Sequence, residues 1–334
     1  MRVARSQIRS LDIANFRKLL LRWYARHQRK LPWRRQTDPY RILVSEIMMQ
    51  QTRVAVVEDR YKEFLRQFPT IRALARAREQ TVLAAWSGLG YYRRARSLHA
   101  AAKQLLRQGR FPCNSSELQA LPGVGRYTGN AVASIAFAEP VPVVDGNVQR
   151  VLRRLFGRPL SVRRCWSAAE ELLDERRPGD FNQAMMELGA LVCLPGTPLC
   201  AKCPVAGLCA LRGAGPKRKP SARRKAVLSY LLVRKNGCIL LRQRPGSSSL
   251  MPGMWELPAA EPSMGNQEPM LKLRHSITTT DYSVLVFPAG GHSSSAARWV
   301  QLRTAEKLPL TGLARKILRR LKMLPETGTH NLSS

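Results

Sequence analysis

Four thiols, Cys193, Cys200, Cys203 and Cys209, follow a predicted helix at C-x6-C-x2-C-x5-C spacing, and a fold that uses them together must wrap one short loop around a shared centre. Close spacing without a secretory signal favours metal ligation over disulfides, because reducing compartments keep thiols free and thiolates are soft ligands. Zinc is the generic partner of four cysteines, but zinc ribbons carry paired C-x2-C knuckles. Here one such pair has two outlying ligands, which suits a 4Fe–4S cube better than zinc. The scattered Cys113, Cys165 and Cys238 read as small apolar residues.

Charge narrows the partner. The 334 residues hold 56 Lys and Arg against 22 Asp and Glu, a net charge of +34, too large for an ordinary enzyme of small neutral substrates. A polyanion is the natural partner, and 44% hydrophobic residues argue for a folded body rather than a basic tail. No run has the roughly 20 apolar residues of a membrane span, and residues 1–10 lack the apolar core of a secretory signal. The expected location is cytoplasmic, nucleoid-associated through DNA, with an Arg-rich transit peptide as the minor alternative.

Apolar residues recur at helical spacing in Phe16 to Tyr24, Ile42 to Met49, Leu98 to Leu106 and Val148 to Phe156, so residues 1–212 read as almost wholly helical. Residues 213–225 are basic, contain two prolines and lack periodicity, which is linker composition. Beyond them, Val227 to Val233 and Cys238 to Gln243 are β-type runs joined through Lys235-Asn236-Gly237, a hairpin-turn signal. A second, sheet-containing domain is expected over 226–325, with a tail at 326–334.

Ser115 to Leu121 reads as a short helix capped by Asn114 or Ser115, followed by Pro122-Gly123-Val124-Gly125 and a second helix from about Arg126 to Phe137. Two glycines let the backbone turn tightly and aim a helix N-terminus at an anion. Such a hairpin grips a DNA backbone without reading sequence. Lys202, at the tip of the cysteine loop, is either a second phosphate contact or a solvated lysine.

With these features in place, Leu121-Pro-Gly-Val-Gly-Arg-Tyr-Thr128, Val144-Asp-Gly-Asn-Val148 and the cysteine spacing resemble the helix–hairpin–helix DNA glycosylase superfamily. Leu31-Pro-Trp-Arg34, Ser45-Glu-Ile-Met-Met-Gln-Gln-Thr52 and Gly88-Leu-Gly-Tyr-Tyr92 resemble its adenine DNA glycosylases of the MutY type. The likeness implies a mainly α glycosylase domain with a 4Fe–4S cluster loop at 193–209, plus an α+β Nudix-like C-terminal domain suggested more loosely by Trp255-Glu-Leu-Pro258. It also implies a monomer acting on double-stranded DNA that contains a mispaired adenine.

Cleaving an adenine N-glycosidic bond needs a proton for the leaving base and negative charge near the sugar as it becomes cationic, so two carboxyls in opposite protonation states suffice. Glu46 lies between apolar runs, where burial would keep it an acid, and the resemblance makes it the proton donor. Asp145, at a predicted helix start, is expected to stay ionised there, and the resemblance makes it the transition-state stabiliser. Strand-cutting relatives carry a lysine where this chain has Tyr127; a phenol forms no Schiff base, which predicts a monofunctional enzyme, with Tyr127 and Asn147 organising Asp145 and water.

The base must also leave the stack. By resemblance Gln51 and Tyr91 insert into the duplex with Gln50 and Thr52 nearby, Gly123, Val124 and Gly125 grip its backbone, and Arg29, Trp33 and Glu187 line the adenine pocket. In the relatives a Phe-Ser-His loop of the Nudix-like domain checks the opposite base, 8-oxoguanine. The aligned stretch here holds Ser276, Ile277, Thr278 and Thr279, with Thr279 in place of the histidine. Glu256, Glu261 and Glu268 lack the grouping a working Nudix hydrolase needs. The alternatives are an endonuclease III-like enzyme for oxidised pyrimidines, against which Tyr127 speaks, and a non-catalytic DNA-binding module, which needs neither Glu46 nor Asp145.

Overall fold

A computed structural model describes residues 11–34, 36–213, 223–248, 251–260, 267–277, 279–289 and 297–325. They fall into two compact units, one built from segments within 1–76 and 97–219, the other from 77–96 and 220–334. The first unit is thus interrupted, and residues 77–96 group with the C-terminal sheets.

Every apolar run read as helical is a helix in the first unit. Ile13–His27 starts where the Asp12 side chain accepts from Asn15 N, and it buries Phe16, Leu20, Leu21, Trp23 and Tyr24. Pro39–Met49 starts on Asp38, which accepts from Tyr40 N and Arg41 N, with Pro39 supplying the preset first turn. Phe16, Leu20, Leu152, Phe181 and Leu188 join one core drawn from the N-terminal helix and the helices Gly146–Leu155 and Pro178–Leu191. Burying each such side chain contributes roughly 1.5–3 kcal/mol. Gly189 makes the close crossing of those last two helices possible, since a Cβ there would sit 2.7 Å from Asn147 Cβ.

The second unit is α+β. Strand β1 (Arg224–Leu232) begins inside the stretch read as linker, so Arg224 and Lys225 are strand. Composition hid this because the pairing partner is distant: Arg224 and Lys225 lie opposite Thr280 and Asp281 of the strand Thr280–Pro288. β2 (Arg234–Lys235) turns into β3 (Cys238–Gln243) through Asn236 and Gly237, at φ 48 and 71, the two left-handed positions the Asn-Gly pair predicts. β4 (Trp255–Glu256) and β7 (Ala297–Gln301) also pair with β3, while β5 (Leu271–Ile277) pairs antiparallel with β6 (Thr280–Pro288). The helix Gly312–Arg320 closes a core of Leu232, Ile239, Leu241, Val284, Val286 and Ile317. Among the described residues no helix is long and apolar enough to cross a membrane.

Candidate active site

Glu46 sits on the Pro39–Met49 helix with only 8% of its surface exposed. Tyr127, in the first turn of the helix Arg126–Phe137, donates its hydroxyl to Glu46 Oε2 at 2.8 Å. Burial pushes the Glu46 carboxyl above its ordinary pKa and the nearby charge of Asp145 adds to that, against the Tyr127 hydrogen bond and the charge of Arg34. Tyr127 is raised well above a normal phenol, chiefly by burial and then by the two carboxylates, so it stays a donor. Glu46 is thus buried, as its apolar flanks predict, with its pKa raised.

Asp145 caps the helix Gly146–Leu155: Oδ1 accepts from Val148 N at 2.7 Å and Oδ2 from Asn147 Nδ2 at 2.9 Å. Burial raises the Asp145 pKa above its ordinary value, because desolvation outweighs the stabilising bonds from Val148 and Asn147 and the charge of Arg150. The two carboxyls nevertheless differ in kind. Glu46 accepts from one phenol, whereas Asp145 accepts from a backbone amide and a side-chain amide at a helix N-terminus, which favours the anion. Asn147 is itself held, its Oδ1 accepting from Arg150 Nη2 at 2.7 Å, and Arg150 also donates to the Gly189 and Cys193 carbonyls at 2.7 Å each.

Arg29 and Glu187 come together as a fork, with Nε to Oε1 and Nη2 to Oε2 both 2.8 Å and the Arg29 backbone amide on Oε1 at 3.0 Å. Glu187 is fully buried, and burial alone would raise its pKa; the Arg29 hydrogen bonds and the charges of Arg34 and Arg29 reverse this and hold it ionised. Trp33 is buried with its ring edge on Tyr61, 5.3 Å between centroids, rather than in this fork.

Sequence reading missed Arg34, which pairs with Glu187 Oε2 at 3.2 Å, bonds the Gln183 side chain and acts electrostatically on Glu46. It also missed Asn182 and Asn130, which hold the stretch before Asp145: Asn182 bonds Val143 N and Val141 O, and Asn130 bonds Pro142 O. The only signal for them was a polar residue inside an apolar helical run.

The hairpin forms as read, with Asn114 capping Ser115–Gln119 and Gly125 at the cap of Arg126–Phe137, where no side chain covers the first amides. Gly123 has φ 75, and a Cβ on it would lie 2.3 Å from Ser97 Cβ, so only glycine fits. Val124 is buried and anchors the turn. Gln50 donates to Thr128 Oγ1 at 3.1 Å, tying the 50–52 turn to the hairpin helix, and Thr52 Oγ1 donates to the Gln50 carbonyl at 3.3 Å. Gln51 is exposed at φ 55.

In the second unit Tyr91 is likewise left-handed, at φ 48, and 48% exposed, while Tyr92 is buried and donates to the Leu310 carbonyl at 3.1 Å. Arg94 lies 5.5 Å from both the Trp86 and Tyr91 ring centres and donates to the Leu89 and Gly90 carbonyls at 3.1 Å each. Burial lowers its pKa to about 10, so it remains a cation. The loop that carries Tyr91 is thereby fixed before any ligand arrives.

Cys193, Cys200, Cys203 and Cys209 line one pocket together with Arg154. Arg154, only 8% exposed, donates to Cys193 Sγ at 3.3 Å and to the Leu194 and Gly196 carbonyls at 2.7 and 3.0 Å, with no carboxylate within ion-pair distance among the described residues. A buried cation of this kind needs a counter-charge, and thiolates carrying a cationic cluster would provide it. Four thiols lining one pocket beside that cation suit an iron–sulfur cube. Lys202 is exposed on the short turn Cys200–Lys202.

The segment read as an opposite-base loop is a tight hairpin. Ser276 and Ile277 belong to β5, Ile277 pairs with Thr280, Thr279 forms the turn, and Thr278 lies outside the described residues. Ser276 Oγ donates to Asp281 Oδ1 at 2.6 Å, and the Thr279 carbonyl accepts from Arg224 N at 3.0 Å. Glu256 is buried and neutralised by Arg242 and Arg244, each at 2.8 Å, Glu268 is exposed, and Glu261 lies outside the described residues.

Comparison with known proteins places these features in a family. Residues 44–163 match the HhH-GPD superfamily base excision DNA repair proteins. An adenine DNA glycosylase of Homo sapiens is 45% identical over 218 residues, covering 60% of this chain and 40% of that protein. One of Rattus norvegicus is 39% identical over 334 residues, covering 79% of this chain and 64% of that protein. The chain thus spans less than two thirds of the length of either relative. A solved thermostable thymine-DNA glycosylase is 30% identical with a TM-score of 0.56, covering 59% of this chain and 95% of that one. Hairpin, paired carboxyls, cysteine loop and these matches agree that the chain belongs to the HhH-GPD superfamily of base excision DNA repair proteins.

Proposed function

We propose that the protein is a monofunctional DNA glycosylase that removes adenine mispaired with 8-oxoguanine or guanine and leaves an abasic site. The observation that carries this reading is the 2.8 Å bond from Tyr127 to the buried Glu46: an acid with raised pKa stands beside a phenol, where a strand-cutting relative would need an amine.

In the proposed reaction Glu46 gives its proton to the adenine ring, and Tyr127 orients the carboxyl through Oε2. As the bond to the sugar stretches, Asp145 faces the developing positive charge, held by Val148 N and Asn147, and a water then adds to the sugar carbon and returns a proton to the Glu46 carboxylate or solvent. The Arg29–Glu187 fork gives the pocket wall fixed polar groups. Double-stranded DNA is the partner, gripped at the Gly123–Gly125 turn and opened by Gln51 and Tyr91, and the monomer suffices. Cys193, Cys200, Cys203 and Cys209 would hold a 4Fe–4S cluster, whose contribution is to brace the loop. The names of the adenine-specific relatives support the choice of base.

Single-turnover excision from an adenine:8-oxoguanine duplex tests this. Wild type is expected to release adenine without a borohydride-trappable adduct, and Glu46→Gln to lose about 10²–10⁴-fold in rate while retaining DNA binding. Tight binding with no excision by wild type would favour the binding-module reading instead.

A further inference from the structure

The stretch 139–145 runs from the end of the DNA-gripping hairpin to Asp145, and side-chain bonds fasten it almost residue by residue. Ala138, left-handed at φ 55, turns the chain back after the helix Arg126–Phe137. Glu139 then reaches the first helix of the hairpin, where its carboxyl accepts from Ser115 N at 2.6 Å and from Ser115 Oγ at 2.9 Å. Further along, the Pro142 carbonyl accepts from Asn130 Nδ2 at 2.8 Å, between the Val141 and Val143 groups that Asn182 holds.

Asn130 belongs to the hairpin itself. It is buried on the second hairpin helix, and its Oδ1 accepts from Gln119 Nε2 of the first at 3.4 Å. Gly129 allows those helices to approach, since a Cβ there would lie 2.8 Å from Gln119 Cγ and 3.2 Å from the Ser115 carbonyl oxygen. Glu139 and Asn130 thus join the same hairpin to the same stretch, one near each end of the first helix. Neither side chain bonds Glu46, Tyr127 or Asp145 among the described residues.

We propose that Asn130 and Glu139 are positioning residues that set the register between the DNA-gripping hairpin and Asp145. This rests on the reading of Asp145 as the group that faces the sugar cation. A hairpin that holds the duplex by its backbone decides where the protein stands on the DNA. Asp145 must then meet a single sugar, and a misplacement on the order of 1 Å costs about 10²-fold in rate. The span from grip to carboxylate is therefore a quantity the fold has to fix, and these two side chains are the ones that bridge it.

The experiment compares wild type, Asn130→Ala, Glu139→Ala and Glu139→Gln, as full chains below their own melting temperatures. Each is given duplexes that carry, in place of the target deoxyadenosine, a neutral tetrahydrofuran abasic analogue or a pyrrolidine analogue with a positive charge in the sugar ring. Binding of the neutral duplex reports the grip, and the preference for the cation reports Asp145; single-turnover excision from an adenine:8-oxoguanine duplex is read beside them. Both alanine variants are expected to bind the neutral duplex as wild type does and to lose about 10–100-fold in cation preference, the worth of a bond to a charged group, with a parallel fall in excision rate. Glu139→Gln, whose amide still accepts from Ser115 N and donates to Ser115 Oγ, should recover most of both. Cation preference and rate retained in the alanine variants, equal loss on neutral and cationic duplexes, or no recovery in Glu139→Gln overturns the proposal. If wild type itself shows no preference for the cation, the reading of Asp145 falls separately, and amide exchange decides. Slower exchange over 141–148 on binding the neutral duplex, seen in wild type and lost in Asn130→Ala, upholds the register; equal slowing in both, or none in either, overturns it.

Discussion

Asn182 offers the sharpest test of how the fold positions the chemistry. Its side chain, 2% exposed, takes Val143 N at 3.0 Å and gives protons to Val141 O at 2.8 Å and Ser134 Oγ at 3.0 Å. Those bonds fix the stretch that ends at Asp145. Asn182→Ala takes this partner from the buried Val143 N, the half-buried Val141 carbonyl and the Ser134 hydroxyl; at about 1–3 kcal/mol for each of the two backbone groups, the cost is about 2–6 kcal/mol in all. For a unit near two hundred residues this corresponds to a fall in Tm of roughly 4–24 °C. Asp145 should also shift, and a displacement on the order of 1 Å costs about 10²-fold in rate. Circular dichroism melting and single-turnover excision measure the two effects, the latter below the variant's own Tm. Asn182→Asp keeps the acceptor and loses the donors, so it should be at least as damaging as Ala as pH rises and the carboxyl ionises against the Val141 carbonyl. A variant melting within about 2 °C of wild type, or excising at an undiminished rate, would refute this account of Asp145.

Three further outcomes are expected. Because Tyr127 holds the Glu46 pKa down, Tyr127→Phe should move the alkaline limb of the excision profile to higher pH: the acid stays protonated longer, and a pH–rate series reads the shift. Folded Glu46 keeps its proton at pH values where the unfolded carboxyl has lost it, so its burial costs stability as pH rises above the unfolded pKa; Glu46→Gln should melt higher than wild type at neutral pH and not at acid pH. Arg94→Ala should free the Leu89 carbonyl and leave that of Gly90 to Trp86 Nε1 alone, giving faster amide exchange over 88–91 by mass spectrometry and a slower excision rate.

The short-range features were legible because local chemistry fixes them. The Asn236-Gly237 turn, the Asn114 and Asp145 caps and the Gly123–Gly125 hairpin each depend on residues within a few positions of one another. What escaped was tertiary. Arg224 and Lys225 look like linker until Thr280 and Asp281 pair with them. Arg34, Asn130 and Asn182 act through partners far along the chain, and no spacing rule marks them. The rise in the Asp145 pKa is likewise a matter of burial, which a helix-start signal does not report.

The interruption of the first unit by residues 77–96 bears on how the protein can be dissected. Val82, Leu83, Trp86, Leu89 and Tyr92 are buried in that segment, and the Tyr92 hydroxyl reaches the carbonyl of Leu310. A fragment ending at residue 212 would therefore not be a free-standing module. It would carry a piece of its neighbour's interior, lose the Leu310 carbonyl, and expose apolar surface beside the loop that presents Tyr91. The two units are interleaved along the chain rather than strung in series, so a cut at the basic linker alone does not separate them.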